Sequence, residues 1–531
     1  MKVKMFQYGI LIVVSIFFSC PLYLYGQHTR ITNKKDSLPL SIYNPPVFDD
    51  PDRVKKIKQT LPVIENLYKQ HAERNHFPAI AFGVVADGQL IYSGAFGFTD
   101  ISKKIPATSK SIFRIASMSK SFTAMAILKL RDEGKLNLDD PAYKYIPEMR
   151  SVKYLTSDAA PISIRNLLTH TAGFPEDNPW GDRQLADSDE DLIKIITDGI
   201  SFSNVPGIEY EYSNLGFALL GSIVTRVSGK SYQQYIDENI LKPLNMNATF
   251  WEYSKVPTSL LAHGYRWINQ QWNEEGLLHD GSYGAMGGMM TSIEDFSQYM
   301  ALHISAWPAG DELVKAPIKK SSIREMHQPW RFNGFNTQYK FPNGKSCAIV
   351  SAYAYGLAWV RDCENKTWIG HAGGLPGFGS QWRFFEEYGI GVVSFANLTY
   401  AGTGTINLKV LDTIISIAKL KPRQLKASPI LDKRKNDLMK ILPEWKNAEK
   451  SGIFAENFFP DYPIDSLRKE ARRLFSKAGK IIGSKEVLPE NNLRGSFIIE
   501  GEKINIMISF TLTPENPPLI QEYNILESRK Q

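Results

Sequence analysis

The order of strand-like and helix-like segments constrains the fold of this chain more than any other feature. Ile80 to Val85 and Gln89 to Phe96 are apolar runs joined at Ala86-Asp87-Gly88, where Asp-Gly supplies the turn chemistry of a hairpin. Strand signals then stop until Tyr355 to Val360, Trp368 to Gly370, Gln381 to Phe385 and Gly389 to Ala396. Helix-like segments lie between, clearest at Ile164 to His170, Asp189 to Asp198, Leu215 to Ser228 and Ser231 to Leu241, and Leu408 to Ile417 reads as a closing helix. Strands at both ends with helices between predict one sheet assembled from distant segments plus an inserted helical region. The cleft between the two is then the expected site.

At 531 residues the chain exceeds one typical domain. Residues 27–51 are polar and proline-bearing and read as a tether; Asp52 to Asn75 has helical periodicity through Val54, Ile57, Leu61, Ile64 and Leu67. The main domain is expected over 52–420 and a basic linker over 421–446, within the densest basic stretch, Lys419 to Lys450. A small α+β domain is expected over 447–531, helix-like from Asn447 to Lys480, with strands at Arg494 to Glu500, Lys503 to Leu512 and Leu519 to Leu526. The net charge of +7 is modest for this length and its basic residues are interleaved with acids, which gives no case for a nucleic-acid partner.

Lys2 and Lys4 precede an apolar segment from Ile10 to Phe18, the order of a secretory signal and too short to span a bilayer comfortably. The expected signal peptide is 1–26, cleaved after Gly26. Ser19-Cys20 is the competing site, a lipoprotein-like ending with Cys20 lipidated, which would attach the protein to a membrane; the residues before Cys20 lack the usual leucine. Either route predicts an exported protein, periplasmic or secreted. The remaining cysteines, Cys347 and Cys363, could then oxidise to one disulfide. The histidines show no ligand-like spacing, so no metal site is expected.

Ser117-Met118-Ser119-Lys120 opens an apolar helix-forming run. Residues three apart on a helix share a face, so the Lys120 amine could reach the Ser117 hydroxyl and, if neutral, take its proton. At a helix N-terminus the backbone N–H of Ser117 would also face outward as an oxyanion donor. The same spacing recurs at Ser416 to Lys419 and Ser466 to Lys469, where nothing else suggests chemistry, and at Ser117 a plain helix cap with a solvated Lys120 is the simpler reading of the spacing alone. Tyr212-Ser213-Asn214 lies in the loop before the Leu215 helix. A lysine ammonium beside a phenol stabilises its anion and makes Tyr212 a candidate proton shuttle, with Asn214 placed to hold the lysine or a substrate amide. His371-Ala372-Gly373-Gly374 follows a short strand, and its glycines allow close approach of a backbone to a ligand. His279-Asp280-Gly281 has similar spacing and ranks second.

The succession of Ser-x-x-Lys, Tyr-x-Asn and His-x-Gly on a late strand resembles the serine β-lactamase and penicillin-binding superfamily, in its class C β-lactamase, D-peptidase and esterase branch. Phe113-Arg114-Ile115-Ala116, Leu167-Leu168-Thr169-His170-Thr171-Ala172-Gly173 and Gly287-Gly288-Met289-Met290-Thr291-Ser292 look like the same branch. The resemblance covers roughly Ile57 to Ile417 and implies an antiparallel sheet flanked by helices. It implies Ser117 as acylated nucleophile, Lys120 as its basic partner, Tyr212 as proton carrier and Asn214 as substrate contact. His371 and Gly373 would line the substrate, and the N–H groups of Ser117 and Gly374 would be the oxyanion donors. No cofactor is implied. Where β-lactamases of the branch carry Lys-Thr-Gly this chain has His371-Ala372-Gly373, replacing a permanent cation by a group mostly neutral at pH 7. His-x-Gly looks more like the esterase and peptidase members. The expected function is a serine hydrolase acting on an ester, a peptide amide of D-amino-acid type or a β-lactam; the alternative is a non-catalytic binding protein for cell-wall peptides.

Overall fold

The computed structural model describes residues 43–310 and 316–530. The expected signal segment, Cys20 and the tether up to residue 42 lie outside the described residues. The chain divides into two compact units, one of Tyr43–Ala427 with Leu488–Asn491, the other including Ser428–Val487 and Asn492–Gln531.

The first unit is organised by a nine-stranded sheet in the spatial order Ile105–Pro106, Gln89–Asp100, Ala79–Ala86, Ile390–Ala396, Phe378–Phe385, Thr367–Leu375, Ala358–Asp362, Ser346–Tyr353, Arg331–Lys340. Every pair is antiparallel. The distant halves join where Ile80 stands opposite Ala396 and Ala86 opposite Ile390. All eight residues of Ala79–Ala86 are buried, because this strand is covered on both faces. Its alternation shows how: Ala79, Ala81 and Val85 enter one core, while Ile80, Phe82, Val84 and Ala86 enter another. On the second face lie the helices Leu61–Arg74 and Thr403–Ile417, with the Tyr68 ring stacked 4.1 Å from Phe82. On the first face lie the helix Ile293–Ser305 and, among the inserted helices, Ser119–Asp132 and Asn214–Ser228.

Several expectations change here. The single helix over 52–75 is two, Arg53–Gln59 and Leu61–Arg74, because Pro62 lacks the N–H that would continue the ladder. The tether is not free over its described end, since Val47 and Gln424 exchange backbone hydrogen bonds of 3.0 and 2.7 Å. Among the strands that went unrecognised are Arg331–Lys340 and Ser346–Tyr353, at one edge of this sheet. The outer one is mostly exposed and carries Asn333, Asn336, Thr337 and Gln338, so it holds its place by backbone pairing that leaves no apolar signature. Cys347 and Cys363 are joined by a disulfide.

In the second unit the strands Ile481–Ser484, Arg494–Gly501, Asn505–Leu512 and Ile520–Ser528 pair in that order. The helix Ile464–Ala478 buries Leu467, Ala471, Leu474 and Ala478, one per turn. The basic linker over 421–446 is corrected: Pro429–Ile441 is a helix, capped by Ser428 and started by Pro429. Ile430, Leu431 and Leu438 are buried, and even Arg434 is buried, donating to the Pro518 carbonyl at 2.6 and 3.0 Å. The basic run is the wet side of an amphipathic helix.

Candidate active site

Ser117 lies in a 3-10 turn, Ala116–Met118, that leads directly into the helix Ser119–Asp132. Ala116 has φ +50°, a left-handed conformation that costs a residue with a Cβ roughly 1 kcal/mol. The surroundings hold the turn in place: Ser119 Oγ donates to the Ala116 carbonyl at 2.7 Å and accepts from the Met289 N–H at 3.2 Å, while Ser380 Oγ donates to the Ile115 carbonyl at 2.7 Å. The strand Thr367–Leu375 reaches this turn only because position 373 is glycine. A Cβ there would lie 2.2 Å from Ile115 O and 2.5 Å from Ser380 Oγ.

Lys120 is fully buried, and its Nζ lies 3.1 Å from Ser117 Oγ, 2.7 Å from Asn214 Oδ1 and 3.0 Å from the Met286 carbonyl. Asn214 Oδ1 and the carbonyl can only accept, so they take two N–H bonds. The third direction faces Ser117, where a neutral amine presents its lone pair. Burial lowers the Lys120 pKa to about 7, against smaller opposing effects of Asp177 and Asp182.

Asn214 begins the helix Asn214–Ser228, capped by Ser213. Its amide donates to Asn178 Oδ1 at 2.8 Å, which leaves Oδ1 directed at Lys120. Asp177 accepts the N–H groups of Asn214 and Leu215 at 2.6 and 2.8 Å, as a carboxylate at a helix N-terminus should. The Tyr212 ring lies 4.8 Å from Lys120 Nζ. The expectation of a stabilised phenolate is corrected: burial raises the Tyr212 pKa well above 10, and a hydrogen bond with Ser117 offsets this only in part. Tyr212 is a neutral phenol that can relay a proton without ionising first. His170 accepts from the Ser213 N–H at 3.1 Å through Nδ1 and packs 4.3 Å from the Tyr212 ring.

His371 is 7% exposed and sits on the sheet side. Its Nδ1 faces the Ala372 carbonyl, which can only accept, so the proton resides on Nδ1. Nε2 therefore accepts from the Tyr353 hydroxyl at 3.0 Å. Burial and the nearby Lys120 charge lower the His371 pKa to about 4, so the imidazole is neutral at pH 7. His279, of the second-ranked motif, instead pairs with Glu252 at 3.2 Å, and Asp280 accepts from Gln233 at 2.8 Å. These are contacts within the helical region.

The structure thus gathers Ser117, Lys120, Tyr212, Asn214, His371 and Gly373, with Gly374 next on the same strand. A model of the Beta-lactamase family matches residues 64–412. The chain belongs to the beta-lactamase family. Among its relatives, Protein flp of Staphylococcus aureus (strain COL) is 28% identical over 369 residues, covering 67% of this chain and 68% of that protein. A Beta-lactamase of Yersinia enterocolitica is 25% identical over 357 residues, covering 64% and 88%. The fold is similar to that of the octameric penicillin-binding protein homologue from Pyrococcus abyssi, with TM-score 0.57, 21% identity and coverage of 89% of this chain and 96% of that one. It is also similar to a penicillin binding protein from Bacillus halodurans, with TM-score 0.51, 22% identity and coverage of 66% and 98%.

Beside these residues stand Tyr353, Asp177, Asn178, Asp182 and Tyr400, which sequence reasoning missed. Tyr353 lies on an unrecognised strand. The others are single polar residues in loops, and no local pattern distinguishes a loop aspartate that caps a distant helix from one facing solvent.

Proposed function

We propose that this beta-lactamase family member is an exported serine hydrolase that acylates Ser117 with an ester or amide substrate and then passes the acyl group to water. The observation that carries the reading is the arrangement at Lys120, two fixed acceptors and one serine hydroxyl around a single buried amine. With a pKa of about 7, roughly half the amine is neutral at pH 7. Neutral Lys120 takes the Ser117 proton as Oγ attacks the carbonyl, and the oxyanion is received by the N–H groups of Ser117 and Gly374. Tyr212 passes a proton to the leaving oxygen or nitrogen as the bond to it breaks. Water then attacks the acyl-enzyme by the reverse relay, restoring Ser117 Oγ–H.

A neutral His371, held by Tyr353, supplies no permanent cation for a substrate carboxylate, which favours esters and amides over β-lactams. Export is supported by the Lys2, Lys4 and Ile10 to Phe18 pattern and by the disulfide, which persists in oxidising compartments. The test is a panel of a chromogenic cephalosporin, short-chain nitrophenyl esters and D-amino-acid amides, with fluorophosphonate labelling of wild type and Ser117→Ala. Loss of labelling and of all turnover in Ser117→Ala is expected; labelling at the wild-type rate would overturn the reading.

A further inference from the structure

His170 is a buried histidine beside Tyr212 that the proposed acylation chemistry does not use. It follows the short helix Ile164–Leu168, has φ +54° and is only 2% exposed. A residue with a Cβ pays roughly 1–2 kcal/mol for that left-handed backbone. Its own groups hold the chain on either side of Tyr212: the His170 carbonyl accepts from the Glu211 N–H at 2.9 Å, and Nδ1 accepts from the Ser213 N–H at 3.1 Å. The imidazole lies 4.3 Å from the Tyr212 ring and 4.4 Å from that of Tyr353, the partner of His371. One residue thus grips both neighbours of Tyr212 and backs its ring.

Because Nδ1 accepts, the proton of the neutral imidazole resides on Nε2, which has no hydrogen-bond partner among the described residues. A buried donor left unmet costs about 1–3 kcal/mol. Burial, reinforced by Lys120 and His371, holds the His170 pKa well below 6.5, so the ring keeps its Nδ1 acceptor at pH 7. Backbone strain and an unmet donor therefore fall on the same residue, and such costs persist where a site demands the geometry. The helix beginning at Asn214 does not demand it, since Ser213 Oγ and Asp177 already accept its first N–H groups. The grip of His170 acts one residue earlier, on Tyr212.

From this two-sided grip on Glu211 and Ser213, we infer that His170 is the positioning residue that holds Tyr212 as proton donor to the leaving group. As the bond from the acyl carbon to the leaving oxygen breaks, Tyr212 gives that oxygen its proton, and Lys120, carrying the proton taken from Ser117, restores it. His170 acts only through Tyr212. This deepens the hydrolase reading and rests on it.

The experiment compares kcat/KM for p-nitrophenyl butyrate and ethyl butyrate, together with fluorophosphonate labelling of Ser117, in wild type, His170→Gly, His170→Asn and Tyr212→Phe. Nitrophenolate and fluoride leave as anions, whereas ethoxide leaves only with a proton, so the ethyl ester alone reads the donor. Glycine and asparagine both tolerate a positive φ, but only asparagine keeps an acceptor, its Oδ1, in the place of Nδ1. His170→Gly should lose about hundredfold on ethyl butyrate and stay within about threefold on the other two readouts, as should Tyr212→Phe, while His170→Asn stays within about threefold on all three. Adding His170→Gly to Tyr212→Phe should cost nothing further. Circular dichroism checks folding, and His170→Ala, also without an acceptor, carries the same expectation should the glycine variant not fold. Equal losses on both esters would make His170 merely structural. That result, an unchanged ethyl ester, a selective loss that His170→Asn shares, or a further loss in the double variant overturns the inference while the hydrolase reading stands. Wild type that cleaves the nitrophenyl ester but not the ethyl ester, or Tyr212→Phe without a selective loss, removes the donor and overturns it too. Wild-type protein that never labels at Ser117 removes the hydrolase reading itself, and this inference with it.

Discussion

Lys120 Nζ stands 2.7 Å from Asn214 Oδ1, closer than to the Ser117 hydroxyl it would deprotonate. The amide is a neutral partner, which holds the amine without placing an opposite charge beside it. Acylation should therefore rise about tenfold per pH unit below a Lys120 pKa of about 7 and level off above it. Asn214→Asp places a carboxylate on the amine and should move that limb upward by about one unit or more. The pH dependence of Ser117 labelling measures both, and an unmoved limb would reject Lys120 as the titrating base.

The same burial makes Lys120 a cost to folding. Its pKa is lowered from 10.5 to about 7, so between these values the unfolded chain binds a proton that the native protein does not, and stability rises with pH across that window. Below pH 7 both states are protonated and the native one carries a buried ammonium. Lys120→Met should thus be most favourable relative to wild type near pH 6 and should have lost about half of that advantage by pH 9, a change of a few kcal/mol at most. Urea denaturation at the two pH values reads the difference, and a constant difference would show that the amine keeps its ordinary pKa.

Gly373→Ala should abolish labelling. The added methyl meets backbone at Ile115 O, which cannot swing aside as a flexible side-chain end would, so the strand must move away from the Ser117 turn. Overpacking of this kind costs about 1–3 kcal/mol or more. Thermal denaturation should show the lowered stability, and labelling within tenfold of wild type would mean that the turn and strand adapt independently.

Leu438→Ala tests the corrected 429–441 helix. Leu438 is fully buried, so its truncation should cost about 2–5 kcal/mol, while Lys433→Ala on the same helix should stay within about 0.5. Denaturant unfolding followed by limited proteolysis distinguishes the two. Equal, small effects would restore a solvated connector.

Much of the site was legible because its chemistry is local. Ser117 and Lys120 are one helical turn apart, Tyr212 and Asn214 flank a helix cap, and Gly373 is a glycine where only a glycine fits. The central strands were legible for a related reason: Ala79–Ala86 and Ile390–Ala396 are buried throughout, and burial writes apolar residues into the sequence. The exposed strand Arg331–Lys340 and the basic helix Pro429–Ile441 were misread because backbone pairing and a narrow buried stripe leave a faint or mixed pattern.

The sequence by itself determined which groups could react and in what family of arrangements. Only the tertiary structure decided their state. Lys120 is titratable near pH 7, Tyr212 is a neutral phenol and His371 a neutral imidazole because each is buried, and burial is set by segments far away in sequence. Tyr353, Asp182 and Tyr400 reach the site across the sheet and the helical insertion. Desolvation and hydrogen bonding act through space, so the charges the site presents to a substrate exist only once the chain has folded.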